Sequence, residues 1–329
     1  MKLSEIIGQE RVVDALRRSI AAGRVAHAYL FEGVAGCGRR TTALALIQTL
    51  FCSAAVHGDA CGVCPSCRKM AAGTHPDIQR LEPLPDKRDI TIEQVRELQQ
   101  ALALRPFEAG RKACLIEPAE RMSQGAANAL LKTLEEPPGH AVMILLSTQA
   151  DLLLPTIRSR CQHLRFSPLD RDALTELLVR DGLERQRALE LAALADGSLE
   201  QARLLDNDDA GTVRSELLQV LSRVNGSSIA TIFDSAEQLA GTRDETLTVY
   251  GLLIALLRDM LLIRSNAAGQ VANHFLIDAL QAEAVRFAPD RLVEALELAL
   301  ATRRAVQGNV NPKLSLERFL LCYGNLRTG

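Results

Sequence analysis

The 329-residue sequence predicts an α/β domain with a parallel sheet over its first half, followed by an all-α second half. Three observations predict this. Short apolar runs alternate with helical patterns up to about residue 166, as in folds whose parallel strands are joined by helices. One apolar run leads directly into a glycine-rich loop. From about Pro168 onward, strand signals fade and leucine-rich helical patterns replace them.

The first elements surround the glycine-rich loop. Val12, Leu16 and Ile20 recur at helical spacing and predict a helix. Residues 26–31, AHAYLF, read as a short buried strand, and residues 42–51, TALALIQTLF, return to helix-forming residues. A strand, a glycine loop and a helix in this order form an anion site, because backbone N–H groups and the helix N-terminus point at the same place.

The next elements complete the predicted sheet. Thr91 followed by Gln94 gives the T-x-x-Q spacing of a capping box, so a helix should begin there. Residues 112–117 and 141–148 are predicted as strands, with a helix over 123–136 between them. Alternation of strands and helices favours a parallel sheet.

Composition and charge exclude several classes of protein. Lysine and arginine number 38 against 40 acidic residues, so there is no overall basic field to attract nucleic acid. The charged, amphipathic N-terminus lacks the apolar core of a signal peptide, and no run of about 18 consecutive apolar residues is present. We therefore expect a cytoplasmic protein with no membrane contact, in which disulfides are disfavoured.

The loop GVAGCGRRTT keeps the frame of a phosphate-binding loop, G-x-x-x-x-G-K-[ST], at Gly33 and Gly38 but changes its chemistry. Arg39 stands in the lysine position and is not equivalent to lysine. Arg40 stands where a hydroxyl would bind magnesium, and its positive charge would repel the metal. Thr41 comes one residue late and could act only if the loop slipped register. The candidate nucleotide-binding positions, predicted to be degenerate, are Gly33, Gly36, Gly38, Arg39, Arg40, Thr41 and Glu117.

Four cysteines predict a metal site. Cys52, Cys61, Cys64 and Cys67 have the spacing C-x8-C-x2-C-x2-C, which suits structural, tetrahedral Zn²⁺ with one ion per chain. An iron–sulfur cluster is the alternative. His57 lies between Cys52 and Cys61 and could replace Cys52 as a ligand; we call residues 52–67 the cysteine module. The other cysteines are isolated and are predicted to be small buried or half-buried residues: Cys37, Cys114, Cys161 and Cys322.

Several stretches together resemble one family. They are IIGQE (6–10), HAYLFEG (27–33), NALLKTLEEPP (128–138), LLPTIRSRCQ (153–162) and the tail NVNPKLSLERFLL, and they resemble the clamp-loader subunits of bacterial DNA polymerase III. The resemblance is dense over residues 1–166 and thin beyond. It implies an AAA+ module over 1–166 with the zinc insertion at about 52–67, a helical lid over 167–207, and a helical collar over 208–329 that closes a five-membered ring.

The family contains gamma/tau ATPase subunits and a subunit whose nucleotide site has decayed, and three differences favour the second kind. Besides the altered loop, Glu117 could hold a metal, but Pro118 replaces a water-orienting glutamate. Glu200 stands where the ATPases carry a sensor arginine. We therefore expect no ATP hydrolysis and no productive ATP binding. The alternatives are an active gamma/tau-like ATPase and, in another class, a zinc module that binds DNA.

The S-R-C stretch is where the resemblance implies chemistry. Pro155 suits the first turn of a short helix, which places Arg158 and Arg160 near its C-terminal end. On the residues alone, such an arginine is a solvated helix-end residue; the resemblance implies that Arg160 is an arginine finger acting on a neighbour's ATP. Implied partners are the gamma/tau and delta subunits and, through the complex, the sliding clamp and primed DNA. For residues 75–77, His-Pro-Asp, the sequence predicts only a turn into a strand.

Overall fold

The computed structural model describes residues 2–85, 87–206, 209–224, 229–308 and 310–327. The chain divides into two compact units, Met1–Ala202 and Arg203–Gly329. The division falls within a helix, close to the predicted boundary between lid and collar; that boundary, between residues 207 and 208, lies outside the described residues.

The first unit contains a five-stranded sheet and its surrounding helices. The strands are β1 Ala28–Glu32, β2 Ile78–Leu81, β3 Lys112–Ile116, β4 Ala141–Ser147 and β5 Gln162–Arg165. The helices are α1 Glu10–Ala21, α2 Arg39–Phe51, α3 Pro65–Ala71, α4 Ile92–Ala103, α5 Gln124–Glu135, α6 Pro155–Arg158, α7 Arg171–Arg180, α8 Arg185–Leu194 and α9 Leu199–Leu205, the last of which crosses the division between the units.

The sheet is parallel throughout, with strand order β2-β3-β4-β1-β5. Its inner strands are buried on both faces, as their near-continuous apolar sequences require. Successive residues alternate between two cores: in β3, Cys114 and Ile116 belong to the core that contains α4 and α5, whereas Ala113 and Leu115 belong to the core that contains α1 and α2. The predicted parallel α/β sheet is confirmed.

Helix starts agree with the sequence at one position and differ at another. The Thr91 capping box forms in both directions, with the Thr91 side chain accepting from the Gln94 N–H and the Gln94 side chain accepting from the Thr91 N–H. In contrast, α2 begins at Arg39 instead of residue 42. Gly38 is its N-cap and has φ of 98°, a left-handed conformation that glycine adopts without strain. Arg39 and Arg40 are therefore helical residues of the first turn.

The second unit is helical, as predicted. Its helices are α10 Asp209–Arg223, α11 Ile229–Leu239, α12 Arg243–Arg264, α13 Ile277–Ala284, α14 Pro289–Gln307 and α15 Pro312–Asn325. Within it, α12 packs against α13 and α14, and α11 packs against α15.

One helix among the described residues, α12 over Glu245–Arg264, is long and apolar enough to suit a membrane span, with mean hydropathy 1.8. Arg258 and Asp259 interrupt its apolar run, and 56% of the stretch is buried inside the protein. A core helix of a helical domain passes the same test, so the feature is weak evidence for a membrane.

Candidate functional site

The predicted nucleotide site lies at the carboxyl edge of the sheet. The glycine loop follows β1, Glu82 follows β2 and Glu117 follows β3. Because all the strands are parallel, these three ends meet at the same edge, which is where open α/β sheets bind ligands. The structure therefore brings the glycine loop and Glu117 together at one edge of the sheet.

Arg40 occupies this edge as an ion-pair partner. Its guanidinium lies 2.8 Å from the Glu82 carboxylate and 3.0 Å from the Glu117 carboxylate, so it joins the ends of β2 and β3 to the start of α2. Glu117, the acid that could hold a metal, thus pairs with a side chain of this chain. Thr41 is exposed one residue further along α2, so the loop has not slipped into the register that would have restored a hydroxyl.

The charges around Glu117 act in opposite directions. Burial raises the pKa of Glu117, the positive charges of Arg40 and Arg39 lower it in part, and Glu82 and Glu200 raise it again, leaving the pKa above its ordinary value. Removing Arg40 would leave the paired carboxylates of Glu82 and Glu117 without their ion-pair partner, and Arg39 would be the remaining cation acting on Glu117. Of the two positive charges that act on Glu117, that of Arg40 therefore has the larger effect.

The glycine loop is in direct contact with the start of α9. The Gly36 carbonyl oxygen accepts a hydrogen bond of 3.2 Å from the Leu199 N–H. A Cβ on Gly36 would lie 2.5 Å from the Glu200 backbone nitrogen and 2.7 Å from the Ser198 Oγ. Glu200, predicted to replace a sensor arginine, is thus next to the loop. We call this contact between Gly36 and Ser198–Glu200 the loop–α9 contact.

Other parts of the loop are also engaged internally. The Cys37 N–H donates to the Val34 carbonyl oxygen at 3.4 Å. Arg39 is only 7% exposed, and its proximity lowers in part the pKa of the Cys37 thiol, which burial raises. A phosphate needs free backbone N–H groups at this place, and the Cys37 N–H has an intraloop acceptor instead.

The position of the water-orienting acid is also changed. Pro118 precedes a 3₁₀ turn, Ala119–Arg121. Glu120, two residues beyond Pro118, accepts hydrogen bonds from the backbone N–H (3.0 Å) and hydroxyl (2.5 Å) of Thr148 at the end of β4. Glu120 was not among the residues predicted from the sequence, although it is an acid only two residues beyond Pro118, the expected position of the water-orienting glutamate. Its contact with Thr148 engages one of its oxygens.

The four clustered cysteines form one compact site. Their Sγ atoms all lie within 4.8 Å of one another, with 4.0 Å between Cys52 and Cys64 and 4.0 Å between Cys61 and Cys67. Four sulfurs at about 2.3 Å from a tetrahedral zinc ion would be about 3.8 Å apart. The sulfur atoms can therefore bind a metal ion with little movement. His57 is exposed and outside this cluster.

Backbone N–H groups point at the sulfur atoms. Cys61, Cys64 and Cys67 donate through their N–H groups to the sulfurs of Cys52, Cys61 and Cys64, at 3.2, 3.3 and 3.4 Å. N–H groups of Val63 and Cys64 lower the pKa of Cys61. For Cys64, burial acts in the opposite direction, but N–H groups lower its pKa to about 6. These bonds stabilise the thiolates of Cys61 and Cys64, the form that binds metals, whereas burial raises the pKa of Cys52 to about 12.

Residues 75–77 link the cysteine module to a distant loop, a role that the sequence analysis missed. His75 is buried, packs against Phe51 in a tilted arrangement with 4.7 Å between ring centroids, and contacts the Ser66 hydroxyl of α3 at 3.1 Å. Asp77 is 1% exposed and accepts N–H groups of Phe107, Glu108 and Ala109 at 2.6, 2.8 and 2.9 Å. Asp77 thereby fixes the loop between α4 and β3.

Burial alone would raise the pKa of Asp77, but the three N–H donors and His75 together hold it below its ordinary value. A pattern of His-Pro-Asp contains no local signal for these contacts, because the donors lie about thirty residues away.

Arg160 lies just beyond α6, which begins with Pro155 at its first turn as predicted. Its guanidinium is paired with the Glu135 carboxylate at 2.7 Å and donates to the Thr156 carbonyl oxygen at 3.1 Å. The Arg160 side chain is 36% exposed. The neighbouring Arg158 pairs separately with Asp151 at 2.6 Å. Arg160 thus keeps part of its fork of donors open to solvent.

Comparison with known proteins gives consistent results over most of the chain. A family profile described as DNA polymerase III, delta subunit, matches residues 8–170, and another described as DNA polymerase III, delta subunit, C terminal, matches residues 209–323. The chain is 30% identical over 320 residues to DNA polymerase III subunit delta' of Bacillus subtilis, with 95% of each chain covered. It is 40% identical over 208 residues to subunit delta' of Pseudomonas aeruginosa, covering 62% of this chain and 63% of the relative.

Other similar proteins include a tau subunit and a solved structure. Subunit tau of Salmonella typhimurium is 35% identical over 205 residues, covering 60% of this chain and 32% of the relative. A gamma subunit-related protein of Thermotoga maritima has TM-score 0.42 at 21% identity, covering 95% of this chain and 98% of its own. The delta' relative from Bacillus subtilis matches over nearly the full length of both chains. This chain therefore belongs to the delta' subunit family of the DNA polymerase III clamp loader.

Proposed function

We propose that this chain is a clamp-loader subunit that does not hydrolyse ATP. The observation that carries the proposal is the pairing of Arg40 with Glu82 and Glu117, which places a guanidinium where magnesium would need a hydroxyl and a free carboxylate. The loop–α9 contact adds a second obstacle, because Gly36 is already packed against Glu200. The strand, glycine loop and helix of the nucleotide site would then be retained because they keep the shape of the subunit, not because they bind nucleotide.

The proposed role is that of a rigid subunit in a five-membered ring with gamma/tau and delta subunits. In this ring, residues 1–166 act as the AAA+ module, residues 167–207 as a lid and residues 208–329 as a collar that joins the subunits. Exposed apolar residues are consistent with subunit contacts through the collar: α14 exposes Val293 and Leu300, and α15 exposes Leu314 and Leu321. Each pair is seven residues apart and therefore on the same helix face. The ring would work in the cytoplasm, loading the sliding clamp on primed DNA.

Arg160 is proposed to act in trans, as an arginine finger on the ATP of a neighbouring subunit. Its partial exposure and its position beyond the end of α6 support this role. An arginine in this role stabilises the charge that develops on the transferred phosphoryl group.

The cysteine module is proposed to hold one structural Zn²⁺. Four thiolates would complete its coordination and leave no open position for catalysis. The four sulfurs lie within 4.8 Å of one another, a spacing that suits ligands of a single ion and favours zinc over the bulkier iron–sulfur cluster.

The test of the non-hydrolysing role is an ATPase assay of the isolated chain. No magnesium-dependent turnover above background is expected, and the double change Arg39→Lys with Arg40→Thr should not restore it while Pro118 remains. Wild-type gamma/tau subunit, assayed in the same way, is the positive control. Turnover by the wild-type chain, purified free of other ATPases, would favour the alternative of an active gamma/tau-like subunit.

The second alternative, a zinc module that itself binds DNA, has less support. The basic residues beside the cysteine cluster include Arg68 and Lys69, and the charge of Lys69 is already paired with Glu108. Few aromatic residues are available to stack on bases. Tight, zinc-dependent binding of primed DNA by the isolated chain would support this alternative.

A further inference from the structure

The surroundings of Arg160 contain a carboxylate that the sequence analysis did not single out. Glu135 is the last residue of α5, and its Oε1 lies 2.7 Å from a terminal nitrogen of Arg160. A carboxylate at the C-terminal end of a helix is unfavourable, because the helix dipole makes that end negative. The dipole of α5 therefore does not favour a glutamate at this position, whereas the ion pair with Arg160 does.

Arg160 is held at two points that lie on different helices. One terminal nitrogen pairs with Glu135 of α5, and the other donates to the Thr156 carbonyl oxygen of α6 at 3.1 Å. Two attachments determine the plane of a guanidinium as well as its location. Arginine has five N–H donors in a planar fork, so donors remain for a ligand approaching from solvent.

The pair contributes little to folding. The side chains of Arg160 and Glu135 are 36% and 49% exposed, and ion pairs exposed to this extent have small effects on stability. Their effect on a flexible side chain is larger, because an arginine that is already ordered loses less conformational freedom on binding. The geometry is therefore better suited to orienting Arg160 than to stabilising the fold.

We propose that Glu135 is a positioning residue that orients Arg160 toward the phosphate of a neighbouring subunit's nucleotide. This inference rests on the proposed trans role of Arg160. Glu135 does not touch the nucleotide; it acts through the guanidinium. A control pair lies close by: Asp151 pairs at 2.6 Å with Arg158, the last residue of α6, and has no role in this proposal.

The experiment uses the reconstituted complex of this chain with gamma/tau and delta subunits, and measures kcat and KM for ATP with clamp and primed DNA present. The decrease in ATPase rate caused by Arg160→Ala defines the part of the rate that depends on Arg160. Glu135→Ala should reduce this Arg160-dependent rate by about two- to tenfold, because the complex must then order one long side chain without help. KM should not change, because the interaction is made in the transition state. Glu135→Gln, which keeps an acceptor oxygen, should retain most of the rate, and Asp151→Ala should match wild type.

A double-mutant cycle separates positioning from other effects. If Glu135 acts through Arg160, the double variant should be no slower than Arg160→Ala alone. An additional loss in the double variant, or a large fall in the melting temperature of the free chain with Glu135→Ala, would overturn the inference. So would a normal rate for Glu135→Ala when Arg160→Ala is impaired; the trans role would then stand. An unimpaired Arg160→Ala complex would overturn both.

Discussion

Replacing Gly36 by alanine is expected to separate α9 from the glycine loop. Gly36 has φ of 71°, and a Cβ there would lie 2.5 Å from the backbone nitrogen of Glu200. Since ordinary contacts begin at 3.4 Å, the two segments must move apart by about 0.9 Å, which is 3.4 minus 2.5. The atom that the Cβ meets is backbone, so a simple side-chain rotation cannot relieve the clash.

The size of the effect follows from two contributions. A left-handed conformation costs alanine at least about 1 kcal/mol relative to glycine. Separation also removes the hydrogen bond from the Leu199 N–H to the Gly36 carbonyl oxygen, which contributes about 1 kcal/mol. The two sum to about 2 kcal/mol, so opening of the loop–α9 contact should become about 25-fold more favourable.

Gly38→Ala is the matched control for this prediction. Gly38 lies in the same loop and has φ of 98°, but a Cβ there would have no atom within 4 Å. This variant therefore carries the conformational cost without the clash. It is expected to lower the stability of the start of α2 while leaving α9 in place.

Hydrogen exchange measured by mass spectrometry on peptides covering residues 195–205 is the assay. In Gly36→Ala, the Leu199 amide should exchange about 25-fold faster than in the wild-type chain, and in Gly38→Ala at nearly the wild-type rate. Equal protection of Leu199 in all three proteins would show that the loop–α9 contact does not hold α9. Equal acceleration in both variants would show that backbone strain, not close approach, is responsible.

Three further predictions concern the cysteine module, Asp77 and Arg160. Purified chain should contain about one equivalent of zinc, and Cys64→Ser should lose it and lower the melting temperature; elemental analysis that finds iron, or no metal in reduced protein, would contradict this. Asp77→Ala should cost about 3 kcal/mol at neutral pH in denaturant unfolding, because three backbone donors lose their acceptor. The pKa of Asp77 in the folded chain is depressed. Its contribution to the free energy of unfolding is therefore complete above pH of about 4 and fades as the pH falls through the folded pKa. The stability difference between Asp77→Ala and wild type should shrink in acid, and a difference that stays constant would argue against the carboxylate. Arg160→Ala should leave the melting temperature of the free chain unchanged, lower the ATPase rate of the complex in part and lower clamp loading more; normal rates in an intact complex would identify Arg160 as a solvated helix-end residue.

Local patterns in the sequence were sufficient for most elements of the first unit. Buried strands appear as apolar runs, and the Thr91 capping box and the proline at the start of α6 mark helix starts because their partners are within a few residues. The cysteine spacing also predicted a cluster correctly, since three of the four cysteines lie in one short segment. The start of α2 was misplaced, because two arginines after a left-handed glycine look like loop residues.

The sequence by itself thus determined β1, β3 and β4, the helical second half and the altered glycine loop, whose substitutions can be read one by one, whereas β5 and the start of α2 were not predicted correctly. Only the tertiary structure decided what those substitutions do. Arg40 meets Glu82 and Glu117, 42 and 77 residues away, because the parallel sheet brings successive strand ends to one edge. Glu135 meets Arg160 for a similar reason: the end of α5 and the end of α6 come together in space. Periodicity and capping are local interactions, whereas these pairs depend on how separate elements pack, which no short segment of the chain encodes.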